Sequence, residues 1–251
     1  LRLSALSARL SAEAPALVAA KNEEERQKQN ASLSPKIEEL SASMTELRER
    51  LGQSPELGRV AAATNELTES LTALDRAVAE MLQLRAARAE KVEEIAKLHS
   101  EILALTVPMV DDVNFDLVIE AELAAEIGGS AVTELFDGGV ATLMAVLRTE
   151  AKANLLEGIL RDAAQANDAS RLQPLRERFT AASATLDESL AKLPANENTE
   201  QLKVLISAFL ALGNDAGSIF ELREAELAAG HEASALLEQN RQQATKLAAE
   251  V

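Results

Sequence analysis

Two arginines one helical turn apart, on a stripe that is otherwise apolar, are the residues of this chain best placed to do chemistry. From Val60 the sequence steps by alternating fours and threes through Thr64, Leu67, Leu71, Leu74, Val78, Met81, Arg85, Arg88, Val92, Ile95, His99 and Ile102. Such a heptad seam faces partner helices in a bundle. A guanidinium pointing into a bundle needs an anionic partner, because an unpaired buried charge is costly. A ligand carboxylate would supply it through forked hydrogen bonds. Arg223 follows Phe220 on an apolar stripe of the last helix, at a height that lets it complete an anion pocket with Arg85 and Arg88. Two other arrangements fit the same residues. The seam can slip to Leu82, Ala86 and Ala89, leaving both arginines to extend outward along the surface. Alternatively, acidic side chains of the chain itself pair with them.

His99 shares the seam. It reads as a ligand-binding or pH-sensing group, or as a hydrogen-bonded core histidine. Asn154 and Gly158 fall on one helical face with Val140, Leu147 and Ala151. A core asparagine there sets helix register or touches a ligand, and a core glycine allows close helix approach. Asp111, Asp112 and Asp116 near the start of a helix suit its macrodipole, and their spacing is not that of a calcium loop. Phe115 among them reads as core. On the last helix, Asn240 and Gln243 interrupt the apolar pattern. They suit a ligand, a dimer contact or a helix that must slide.

No cysteine is present and the two histidines are far apart, so no metal site is expected. There is no phosphate-binding glycine loop and no set of nucleophile, base and orienting residue. These residues read as non-enzymatic, with no cofactor. A net charge of −16 argues against a nucleic-acid surface and against adsorption to anionic membranes.

The positioning elements are helices. Hydrophobic residues make up 47% of the 251, yet aromatic residues only 2%, with abundant Ala, Leu and Glu, which favours helix over sheet. Leu51-Gly52-Gln53-Ser54-Pro55 is a helix–turn–helix signal: Gly52 for a positive φ, Ser54 to cap, Pro55 for the first turn. Thr106-Val107-Pro108 and Asn167-Asp168-Ala169-Ser170 mark further boundaries. Pro15, Pro35, Gly128-Gly129 and Asp137-Gly138-Gly139 mark internal breaks. Pro194 ends a helix, and Asn198 with Gln201 caps a short one over about 199–212.

Four legs of roughly fifty residues or more follow, each about 75 Å long at helical rise. They predict an all-α, elongated fold: two stacked antiparallel four-helix bundles sharing long helices, with both termini at one end. The chain opens and closes in helical pattern, and no segment reads as a signal peptide or membrane span. It therefore reads as part of a longer chain.

The pattern resembles a family. Ala14-Pro15-Ala16-Leu17, Glu25-Arg26-Gln27, the segment 110–117, Asn154-Leu155-Leu156-Glu157-Gly158, Phe220-Glu221-Leu222-Arg223 and Glu238-Gln239-Asn240-Arg241 carry the resemblance. It is to the extracytoplasmic helical sensor domains of bacterial transmembrane receptors, of the trimethylamine N-oxide sensor-kinase and helical bimodular chemoreceptor types. The resemblance implies a single periplasmic sensor domain over 1–251, at the inner membrane and flanked by membrane helices. In the full-length receptor it implies a homodimer, with a histidine kinase as the expected output module. The ligand would be a small organic anion, or a periplasmic binding protein would be the partner.

On this frame the membrane-distal bundle takes about 26–80 and 139–193. The membrane-proximal one takes about 1–25, 81–138 and 214–251, with a junction helix at 194–213. A helical scaffold or tether without a ligand is the alternative. Tryptophan-marked repeats are not seen, and polar seam residues suit a scaffold poorly.

Overall fold

Asn22 starts a helix by geometry alone: its extended backbone leaves its side chain free to accept from Glu25 N–H at 2.8 Å. Glu25 reaches back to the Lys21 N–H at 2.8 Å, which completes a near capping box. In the computed structural model, which describes residues 2–52, 54–127 and 136–251, helices of this kind carry the chain. They are α1 (Arg2–Val18), α2 (Glu23–Leu51), α3 (Pro55–Ile127), α4 (Ala141–Ala164), α5 (Leu172–Leu190), α6 (Glu197–Asn214) and α7 (Ile219–Glu250). A π-helical turn, Phe136–Val140, leads into α4. The fold is all-α, with no strand among the described residues.

The turn signals fall where the side chains can act. Gly52 takes φ 72° and its N–H meets Arg48 O. Ser54 Oγ accepts from Leu57 N–H at 3.2 Å as α3 begins at Pro55. Asp168 accepts from Ser170 N–H at 2.7 Å. The cap of α6 is Asn196, accepting from Thr199 N–H at 2.8 Å, rather than Asn198.

Three prolines expected to break helices lie inside them: Pro15 in α1, Pro35 in α2 and Pro108 in α3. Each removes one backbone donor, and packing on the neighbouring turns outweighs that loss. Ala14 and Leu17 flank Pro15 in the core, and Thr106 and Met109 flank Pro108. Before Pro35, Ser34 Oγ donates to Asn30 O at 2.9 Å. The break in the first leg falls instead between Val18 and Glu23. The Gly128-Gly129 break lies outside the described residues.

The chain forms two compact units, one of residues 1–86 with 225–251, the other of 87–224. The bundles expected from the turns grouped 26–80 with 139–193 and 1–25 with 81–138 and 214–251. The units of the structure instead join 1–86 to 225–251. In that first unit α1, α2, α3 and α7 bury Leu10, Leu40, Leu67, Leu74, Ala233 and Leu247. Arg2 and Val251 line one cleft with Leu47 and Leu51, so the chain ends meet at one end of this unit. The start of α2 is tied to α3 by Arg26, which pairs with Glu23 and Asp75, while Asn30 Nδ2 donates to Asp75 at 3.2 Å.

Hydrogen bonds from Arg26 first, then Gln27, hold the Glu23 carboxyl at about 2, well below its ordinary 4.5. A depressed carboxylate contributes stability above its ordinary value and loses it as pH falls through the folded one. Glu23→Gln is therefore expected to flatten the loss of helicity between about pH 4.5 and 2, read by circular dichroism during acid titration.

The second unit is built around Phe179, Phe209 and Phe220, all fully buried. Phe179 meets Phe220 edge-on, with ring centroids 5.8 Å apart at 69°. The α6 backbone lies against the Phe179 ring: a Cβ at Gly213 would sit 2.4 Å from Phe179 Cζ. Gly158, expected to permit a close helix approach, has nothing within 4 Å of such a Cβ. Gly213→Ala is expected to destabilise by about 1–3 kcal/mol through overpacking. Gly158→Ala is expected to stabilise by about 0.5–1 kcal/mol through helix propensity alone. Urea midpoints of the two variants against the parent check the opposite signs.

Candidate functional site

The seam keeps its phase through the arginines. Met81, Leu82, Ile95 and Ile102 are buried, Arg85 and Arg88 are half-buried, and Ala86 and Ala89 are exposed. The outward slip does not occur. What the arginines meet is part of the chain itself.

Arg85 Nε donates to Glu226 Oε1 at 3.1 Å. The Glu226 carboxylate is only 4% exposed and the Arg85 side chain 42%, so the pair brings a solvated cation to a buried anion. This pair lies in the first unit. Arg88 and Arg223 lie in the second and converge on one structural element, the C-terminal end of α4. Arg88 Nη1 donates to Ala164 O at 3.0 Å, and Arg223 Nε donates to Ala166 O at 2.7 Å. The last carbonyls of a helix have no intrahelical donor, and they carry the negative end of its dipole. The Arg88 guanidinium, from α3, satisfies the carbonyl of the last α4 residue, and the Arg223 guanidinium, from α7, holds the chain two residues beyond it. Arg88 and Arg223 thus both donate to the chain at the end of α4, and Arg85 donates to Glu226.

His99 Nε2 donates to Asn154 Oδ1 at 2.7 Å, and its ring centroid lies 6.4 Å from that of Phe209. Asn154 is exposed, not a core residue. The buried face of α4 runs through Val146, Thr149, Ala153, Leu156 and Leu160. The face read from Val140, Leu147, Ala151 and Asn154 lies off this line, with Leu147 and Leu155 each 41% exposed. His99 and Asn154 therefore pin α3 to α4 at the edge of the core. Among the described residues no cluster of His, Asp and Glu is arranged to hold a metal ion.

In the first unit α7 carries a second polar feature. Asn240 is fully buried, and its Nδ2 donates to Ser70 Oγ at 3.2 Å. Among the described residues, neither Asn240 Oδ1 nor Gln243 Oε1 has a hydrogen-bond partner, and both atoms are buried. Leaving a buried acceptor unmet costs about 1–3 kcal/mol. On its other side α7 faces α1 across a groove lined by small side chains: Ser4, Ser7 and Ser11 from α1, Ala244, Thr245 and Ala248 from α7. Ala8, Ala12 and Pro15 of α1 complete this lining with Arg241 of α7, whose guanidinium pairs with Glu238 on its own helix.

Residues 1–114 match the family described as the sensor protein TorS, sensor domain. The fold matches a TorS sensor domain solved in complex with TorT in the presence of TMAO. That match has a TM-score of 0.85 and 17% identity, covering 99% of this chain and 93% of that one. It also matches the sensor domain of the V. parahaemolyticus histidine kinase sensor TorS, with a TM-score of 0.75, 16% identity and the same coverage of 99% and 93%. No curated protein matches the chain. At these identities the structural likeness is one of fold. The resemblance read from the sequence is thus borne out: the first 114 residues match the TorS sensor-domain family, and the whole helical fold is that of the TorS sensor domains.

Proposed function

We propose that this segment is the periplasmic sensing part of a dimeric transmembrane histidine-kinase receptor, and that it reads a periplasmic protein partner. A sensor domain of this type is not itself a catalyst. The observation that carries the reading is the fold, shared across 99% of the chain with a sensor domain solved in complex with a second protein. The arginine geometry supports a protein partner over a small anion. Arg85, Arg88 and Arg223 are each engaged by an acceptor of the chain itself, so a carboxylate would have to displace those bonds.

Transmission follows from α7. Binding that prefers one of two packings shifts their populations. The buried acceptors of Asn240 and Gln243 on one side of α7, and the mostly small residues facing it on the other, support a second packing of this helix. Displacement of α7 against α1 is the proposed output, since both helices end at the same end of their unit.

A small organic acid bound by Arg88 and Arg223 is the second reading, favoured by their convergence on one helix end. The two readings separate by titration of the purified domain. Sedimentation with a TorT-type periplasmic binding protein is expected to give a stoichiometric complex, while organic acids alone leave the melting temperature unchanged. A melting shift with an organic acid that Arg88→Ala abolishes would establish the anion reading instead. No binding of either kind would leave a helical scaffold.

A further inference from the structure

We propose that the outer face of α3 from Phe115 to Leu123 is the docking surface for the protein partner, and that the partner presents an apolar pocket rimmed by lysine and arginine. The proposal rests on the partner-protein reading above.

Phe115, Val118, Ile119 and Leu123 stand at i, i+3, i+4 and i+8, a single stripe along α3. They are 67%, 60%, 43% and 51% exposed. The same stretch of helix buries Met109 and Ala124 on its other side, so its contribution to the core is made without the stripe. Phe115 was expected in the core, as Phe179, Phe209 and Phe220 are. An exposed aromatic inside a contiguous apolar stripe is the surface pattern of a binding site.

Charge selects the occupant. Between Lys97 and Arg148 the sequence holds nine aspartates and glutamates and no lysine or arginine. Asp111 and Asp112 precede the stripe by one turn, Glu122 and Glu126 continue it, and all four are exposed. Among the described residues none of these four forms an ion pair. Carboxylates elsewhere do find basic partners: Arg2 pairs with Glu39, Lys246 with Glu66 and Arg59 with Glu250. A second copy of the chain would bring two such acidic faces together, and anionic lipid would be repelled equally. A basic rim around an apolar pocket satisfies both parts of the face. The rim charges would steer encounter, and the aromatic would anchor the complex.

The test uses the full-length receptor in its own membrane. A benzophenone amino acid replaces Phe115, and in a control it replaces Val204, which is 69% exposed on α6. The expected result is a protein adduct from position 115 and none from 204. That protein, identified and purified, is expected to bind the domain at least tenfold more tightly than it binds Phe115→Ser, whose helicity is unchanged. Its affinity is expected to fall as salt is raised, and to fall in Glu122→Lys. An adduct joining two receptor chains would overturn the proposal. Equal affinity for the parent domain and Phe115→Ser would overturn it too, while leaving the partner reading in place. Failure of any partner to crosslink at either position or to bind the parent domain would remove the reading and the proposal together.

Discussion

Phe179→Ala is expected to lower the stability of the domain by about 3–5 kcal/mol, the range for emptying a buried aromatic site. The ring is fully buried between α6 and α7, edge-on to Phe220 and pressed against the backbone at Gly213. Removing it takes away the edge contact and leaves a cavity that α6 cannot close, since Phe209 and Ile206 already fix that helix in the core. Arg176 stacks over the other partner ring, 5.5 Å from the Phe220 centroid, so its hold on α7 weakens as Phe220 loses its neighbour. Chemical unfolding followed by circular dichroism measures the change. A loss below about 1 kcal/mol would mean that the three phenylalanines do not form the centre of this unit.

The second large effect is expected at the end of α4. Arg88→Ala and Arg223→Ala each remove a charge-assisted hydrogen bond to a terminal carbonyl, worth about 1.5–3 kcal/mol. The two guanidinium groups hold Ala164 and Ala166, two residues apart on one helix end. Their effects are therefore expected to couple rather than add, with an interaction of about 0.5–3 kcal/mol in a double-mutant cycle. Hydrogen exchange should rise locally over 160–166 in the double variant, because the end of α4 loses the guanidinium donors of Arg88 and Arg223. Strict additivity, with unchanged exchange at that end, would show that the arginines do not act on α4 as one clamp.

How much of this was legible in the sequence varies with the kind of signal. The turns at Gly52–Pro55 and Asn167–Ser170 were readable because positive φ, capping and proline geometry each belong to particular residue types. The seam was readable too: its phase through Arg85 and Arg88 holds, and Ala86 and Ala89 are outside. The partners of those arginines were not, because Arg88 and Arg223 donate to backbone carbonyls, which any residue supplies. Pro108 misled because a local penalty was weighed without the packing of Thr106 and Met109 around it. The break at 19–22 contains neither Gly nor Pro, and only the Asn22–Glu25 pair announced it. On α4, alanine and leucine occupy two neighbouring stripes, so the period alone did not separate the buried face from the one bearing Asn154. Phe115 read as core because aromatics usually are. The signal that distinguishes it is the acidic setting: Asp111, Asp112, Asp116 and Glu120 surround Phe115 and all four are exposed.

The central claim is that binding displaces α7 against α1, and the distance between those helices in the full-length receptor tests it most directly. The segment has no cysteine, so within it spin labels attach only where cysteines are introduced. Ala5→Cys on α1 and Gln239→Cys on α7 are both exposed positions of one unit. Pulsed electron resonance, with and without a bound TorT-type binding protein, is expected to show the distance distribution shift by about 1–2 Å, the scale of helix displacement in such transitions. Superimposable distributions with the partner fully bound would contradict the account.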